Sequence, residues 1–171
     1  MNSGTEIKNA LIKEVKFRLI QESVPRIEKC LTQLSEAEVW LRPNQETVSV
    51  GNLILHLCGN VRQWILSGIG KAPDYRKRQE EFDTSGPIEK AALLNDLEIL
   101  MVEVSELLDQ LKQEDLIEIH QVQGFEYSGV GILLHVVEHF SYHVGQITYF
   151  VKSRKNIDMG YYSGVDLDVT D

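Results

Sequence analysis

Cysteine is scarce in this chain. Cys30 and Cys58 are the only two in 171 residues, and neither belongs to a CxxC pair. That argues against a disulfide framework and suits a reducing compartment. Both thiols read as packing residues rather than metal ligands. Long apolar runs are missing as well. No stretch reaches the roughly 18 consecutive apolar residues that a membrane span needs. Residues 1–10 carry no basic-then-apolar leader, so the expected location is the cytoplasm. Positive charge is also short: 17 Lys and Arg stand against 26 Asp and Glu, for a formal net charge of -9. Phosphate recognition needs clustered cations, so nucleic acid and anionic membrane surfaces are excluded as expected partners. The single basic run, Arg76-Lys77-Arg78, is followed at once by Glu80 and Glu81. It reads as a solvated loop.

What remains is an ordinary globular composition, with 43% hydrophobic and 25% charged residues. Without repeats or low-complexity segments, residues 1–171 are expected to form one domain. Ile7, Leu11, Val15 and Leu19 recur at near-helical spacing over residues 5–21. Pro25 is expected to interrupt this helix, with Ser23 capping a continuation through Ile27, Leu31 and Leu34. Ser35 and Glu38 have capping-box spacing. Ser49 predicts the start of a second helix over residues 50–67, ended by Gly68 and Gly70. The polar stretch 70–86 is long for a bundle connection and predicts a crossover running the length of the bundle. Ser85-Gly86-Pro87 predicts the start of a third helix, reaching about residue 112. Alternation around Ile117 to His120, with Gln123-Gly124 as the turn, is a weak hairpin signal. Ser128 then caps a last helix over residues 129–152, followed by an acidic tail expected to be loosely ordered. Four long helices with one crossover, between helices 2 and 3, predict an all-α four-helix bundle.

Five histidines occur, and His135, His139 and His143 fall four residues apart in the last helix. That spacing stacks them along one stripe, which Gln146 continues. In the second helix Asn52, His56, Asn60 and Gln63 form a polar line flanked by Leu53, Ile54, Leu57, Val61, Trp64 and Ile65. Burying such a line without partners costs a few kcal/mol per group. A shared metal ion would satisfy it. His56, His139 and His143 are therefore the expected ligands of one divalent ion. His135 sits one turn too early for that chelate and reads as a pocket wall. His120 reads as a surface residue, and Glu138 as a charge facing away from the stripe. Neutral imidazole suits Zn, Ni, Cu and Fe. Three protein ligands leave a coordination position open, as catalytic sites do.

The segments Asn52-Leu53-Ile54-Leu55-His56-Leu57-Cys58-Gly59-Asn60 and Glu138-His139-Phe140-Ser141-Tyr142-His143-Val144-Gly145-Gln146 resemble the DinB-like family of metalloenzymes. Pro25-Arg26-Ile27 through Cys30-Leu31 is similar too, and the resemblance spans about residues 11–151. It implies a bundle in up-down-down-up order, commonly a homodimer, with a metal held by three His that correspond to His56, His139 and His143. Relatives include transferases that use bacillithiol or mycothiol. The functional expectation is thus a metal-dependent enzyme, with transfer of a low-molecular-weight thiol to an electrophile as the leading chemistry. Asn60 and Gln146 are the candidates for supporting the ligands or touching substrate. Zinc is the first expectation for the metal and nickel the second. A metal-dependent hydrolase is weaker, because no Asp or Glu occupies a clear base position on the His stripes. A non-catalytic dimeric protein holding metal or a small ligand is the third reading.

Overall fold

The computed structural model describes residues 3–170. Met1 and Asn2, the first two of residues 1–10 in which no leader is expected, and Asp171, the end of the tail, lie outside them. The first long helix is continuous. It comprises α1 (Ser3–Lys16), a π-helical stretch (Phe17–Ser23) and α2 (Val24–Thr32). The expected interruption at Pro25 does not occur, and Ser23 is helical and caps nothing. Proline breaks an α-helix because it lacks an N–H and its ring meets the carbonyl one turn back. Here the preceding turn is wider: the Val24 N–H donates five residues back, to the Leu19 carbonyl. That slack admits the ring.

α3 (Glu36–Val39) and α4 (Val50–Val61) each begin with a complete capping box, Ser35 with Glu38 and Ser49 with Asn52. α4 continues through a second π-helical stretch, Arg62–Ile69. The crossover contains a short helix, α5 (Arg78–Asp83). α6 (Lys90–Gln110) starts three residues after Pro87, on Glu89. After α7 (Gln113–Ile117), β1 (Ile119–Val122) and β2 (Phe125–Ser128) pair antiparallel, with Val122 opposite Phe125. Gln123 (φ 53°) and Gly124 (φ 80°) form the two-residue turn. Positive φ at both central positions gives the twist that a tight hairpin requires. α8 (Gly129–Lys155) follows, capped by Ser128.

Contacts along the chain set the topology. The crossover runs back along the second long helix: Arg76 meets Gln63, Glu81 meets His56, and Thr84 meets Asn52. α6 therefore starts at the same end as α4, and the two run in parallel. Lys8 near the start of α1 bonds the Leu111 carbonyl after the end of α6, so the first and third helices are antiparallel. On α8, His135 faces Trp64 while His139 faces His56, which is antiparallel to α4. The result is a four-helix bundle in up-down-down-up order. One cluster of buried apolar side chains, including Leu19, Ile27, Ile54, Leu57, Leu97, Val104 and Phe140, joins all four long helices. Among the described residues no helix is long and apolar enough to cross a membrane.

Two expectations are corrected here. His120 is buried, because on β1 it alternates inward with Val122, and its Nε2 lies 3.3 Å from the Asp115 carbonyl oxygen. The tail is docked as far as about Tyr162. Met159 enters the core, and the Tyr161 hydroxyl sits 2.8 Å from Thr148 Oγ1 and 3.4 Å from Cys30 Sγ. Burial raises the Cys30 thiol pKa and, with the Asp96 charge, pushes that of Cys58 up to about 12. Both stay protonated, as packing thiols do.

The α4 cap is the simplest test of this account. Ser49 Oγ accepts the Asn52 N–H at 3.1 Å, and the group is buried. Ser49→Ala should cost about 1 kcal/mol. In a chain of this length that lowers the thermal midpoint by roughly 2–4 °C. An unchanged midpoint in thermal unfolding would show that the cap contributes nothing.

Candidate metal centre

α4 is apolar on nearly every side and is buried from Val50 to Ile54 and again at His56 and Leu57. Its polar line can meet only protein. Asn52 is consumed structurally: its Oδ1 accepts from the Ser49 N–H and its Nδ2 donates to the carbonyls of Glu81 and Thr84 at 2.9 and 2.6 Å. One turn on, His56 points into the seam between α4 and α8. There it meets the two histidines that the i, i+4 spacing brings onto one face of α8. His139 Nε2 lies 3.1 Å from His56 Nε2 and 3.2 Å from His143 Nε2. One ligand atom from each of the three lies within 4.8 Å of the others.

The outer nitrogens explain why the inner ones are free. His56 Nδ1 lies 2.8 Å from Glu81 Oε2, and His143 Nδ1 lies 2.7 Å from Gln146 Oε1. Each oxygen can only accept, so each ring presents an N–H at Nδ1, the tautomer that leaves Nε2 to face inward as a ligand atom. The Arg76 Nη2, also 3.2 Å from His56 Nδ1, donates to Glu81 Oε2. Burial, reinforced by the His143, His56, His135 and Arg76 charges, drives the His139 pKa down to about 3. Burial also lowers His135 and His143, against the opposing effect of the His143 hydrogen bond to Gln146. His139 and His143 are thus held in the neutral form that binds metal. Nitrogen ligands at about 2.0–2.1 Å around a tetrahedral ion stand about 3.3 Å apart, close to the two separations from His139 Nε2. By donor chemistry and by spacing, the residues fit one divalent ion.

The other candidates fall around this centre. His135 stacks between Trp64 (4.1 Å) and His139 (5.6 Å) and so forms a wall. Asn60 is buried but bonds none of the three rings. Its Oδ1 and the His139 Nδ1 both lack hydrogen-bond partners among the described residues. Glu138 is exposed. Phe82 covers His56 at 4.8 Å, and Tyr142 meets the edge of His143 at 5.0 Å.

The reading of Arg76-Lys77-Arg78 as a solvated loop is corrected. Lys77 and Arg78 are exposed, but the Arg76 side chain is 4% exposed and grips Glu81 with two parallel bonds, Nε to Oε1 at 2.7 Å and Nη2 to Oε2 at 2.9 Å. The Arg76 Nη1 also donates to Gln63 Oε1 at 2.8 Å. Glu81, which sequence reasoning missed, is the carboxylate that was not found on the His stripes. Burial works against its ionisation, but hydrogen bonds from Arg76 and His56 outweigh this and lower its pKa. One signal did point to it. Gly59 follows His56 by three residues, and a methyl there would collide with Glu81 Oε1. A glycine inside a buried helix marks a close approach.

A family model described as "Protein of unknown function (DUF1572)" matches residues 6–163. No curated protein matches the chain. Solved structures do. A DinB-like protein, YjoA, of Bacillus subtilis has a TM-score of 0.64 at 14% identity, over 85% of this chain and 94% of that one. A conserved protein of Enterococcus faecalis has a TM-score of 0.64 at 18% identity, over 90% and 98%. A DinB-like protein of Bacillus cereus has a TM-score of 0.63 at 16% identity, over 81% and 89%. At these identities the likeness establishes the fold, a DinB-like helical bundle.

Proposed function

Because the chain belongs to the DUF1572 family and has the DinB-like helical fold, we propose that it is a metal-dependent enzyme whose ion is held by His56, His139 and His143. The observation that carries this reading is the convergence of three Nε2 atoms with two of their rings already protonated on the far side. A single His139 ring proton can serve only one of these close nitrogen pairs, whereas a divalent ion serves all three nitrogens at once. A divalent ion held there supplies Lewis acidity, lowering the pKa of a thiol or a water at its open position.

The chain's own residues define the rest. Glu81 and Gln146 accept the Nδ1 protons of His56 and His143 and fix those rings. Asn60, buried with its Oδ1 unpartnered among the described residues, is the candidate for supporting the ligands or touching substrate. Phe82, Trp64 and His135 keep bulk water from the cluster. Glu81 is bound by both His56 and Arg76, so it is not free to take a proton from water. That weighs against hydrolysis and towards transfer of a low-molecular-weight thiol, which needs a stabilised thiolate rather than a base. Zinc suits such a site, with nickel next. Leu134, Tyr142 and Tyr149 are exposed along one stripe of α8 and support a homodimer.

The test is to load the protein with zinc or nickel and offer it several low-molecular-weight thiols with a model electrophile. Metal-dependent loss of thiol, abolished in His143→Ala, is expected. Absence of metal-dependent turnover with every thiol tried would remove the transferase reading.

A further inference from the structure

The crossover is tied to the His cluster at more points than a connection needs. Asn52 Nδ2 donates to the carbonyls of Glu81 and Thr84, and Arg42 donates to that of Phe82. The Phe82 ring lies against His56. Glu81 Oε2 reaches His56 Nδ1, and Arg76 clamps both carboxylate oxygens of Glu81. Arg76 is itself fixed by Gln63, which donates to Asp74 at 2.7 Å. Gly59 supplies the space the carboxylate occupies.

We infer that the crossover is a strap whose docking sets metal affinity, with Glu81 and Arg76 as positioning residues for His56 and Gly59 as the seat that admits them. This rests on the three-His metal reading above. A carboxylate on the Nδ1–H of a ligand fixes its tautomer and ring orientation and makes the coordinating nitrogen more basic. Coupling between two binding events is also reciprocal. If the docked strap strengthens metal binding, bound metal holds the strap down by the same factor. The sequence places the strap's carboxylate on a six-residue helix flanked by polar chain, α5. Such a segment buries little apolar surface and owes its position to these polar ties.

The experiment measures Zn2+ affinity of the full chain by chelator competition. The variants are Glu81→Gln, Gly59→Ala and the control Glu80→Gln, whose exposed side chain pairs, among the described residues, with Lys77. Unfolding of the metal-free proteins confirms that each variant is folded. Glu81→Gln and Gly59→Ala should bind Zn2+ about 10- to 100-fold more weakly, and the control within about twofold of the parent. In Co2+-loaded samples the visible absorption of the two site variants should shift while that of the control does not. Hydrogen exchange at residues 78–83 should slow on Zn2+ addition in the parent and much less in Gly59→Ala. Parent-like affinity in both site variants, or exchange in the crossover indifferent to Zn2+, overturns the strap while leaving the three-His site standing. No Zn2+ binding by the parent overturns both.

Discussion

His139→Ala should abolish stoichiometric metal binding and leave the metal-free protein folded. His139 Nε2 is the atom that lies against both of the other two ligand nitrogens. Without it, His56 and His143 are a two-ligand remnant. Four-ligand zinc sites are worth about 10–16 kcal/mol, or roughly 2.5–4 kcal/mol per ligand, so the expected loss is on the order of 100- to 1,000-fold. The cost to the metal-free fold runs the other way. The His139 Nδ1 is buried with no partner among the described residues. Removing the ring deletes an unsatisfied polar group while opening a small cavity, and these two effects oppose each other. Equilibrium dialysis with elemental analysis, beside urea unfolding in chelator, checks both halves. One ion per chain retained by the variant would remove His139 from the ligand set.

The second large effect is acid destabilisation of the metal-free protein between pH 7 and 5. The His139 ring has an ordinary pKa of 6.5 when unfolded and is pushed to about 3 in the fold. Above pH 6.5 neither state binds the proton. Below it the unfolded chain takes up a proton that the folded ring refuses, so stability falls with pH and goes on falling until about pH 3. Each unit is worth up to about 1.4 kcal/mol per ring. By pH 5 His139 alone accounts for on the order of 2 kcal/mol of a total that is typically 5–15 kcal/mol. His135 and His143 are shifted in the same direction and add to the fall. Carboxylates titrate mostly below this window, so the histidines dominate it. Urea midpoints in chelator at pH 7.5, 6.5, 5.5 and 5 should fall steeply for the parent and less steeply for His139→Ala. Parallel curves for the two proteins would show that His139 does not carry the shift. Saturating zinc should raise the parent's midpoints throughout, because it binds the folded state alone.

What could be read from the sequence was local. The caps at Ser35, Ser49 and Ser128 depend on residues within three positions of one another, and all three formed. The bundle followed from apolar periodicity. The juxtaposition of His139 and His143 followed from a spacing of four, and the inward turn of His56 from apolar flanks. What could not be read depended on distant parts of the chain. Glu80 and Glu81 are adjacent and alike in sequence. Only docking of α5 onto α4 decides that Glu80 stays exposed and Glu81 enters the site. Arg76 sits in a polar run with nothing local to mark its burial. His120 was lost for the same reason, since a weak hairpin does not announce which of its faces meets the bundle. Pro25 misled because a wide turn upstream relieved the clash that the residue normally causes.

The π-helical stretch Arg62–Ile69 carries a consequence for length variation in this chain. A helix wound with i→i+5 bonds holds a surplus residue relative to an α-helix of the same rise. Losing one residue there would let the segment relax to ordinary winding, while everything from Asn52 to Asn60 keeps its bearing on α8. The same deletion between Asn52 and His56 has no surplus to absorb it. It would swing His56 about 100° around the axis, away from His139. Tolerated single-residue gaps are therefore expected on the far side of Val61, and the interval from the helix cap to the first imidazole should be of fixed length.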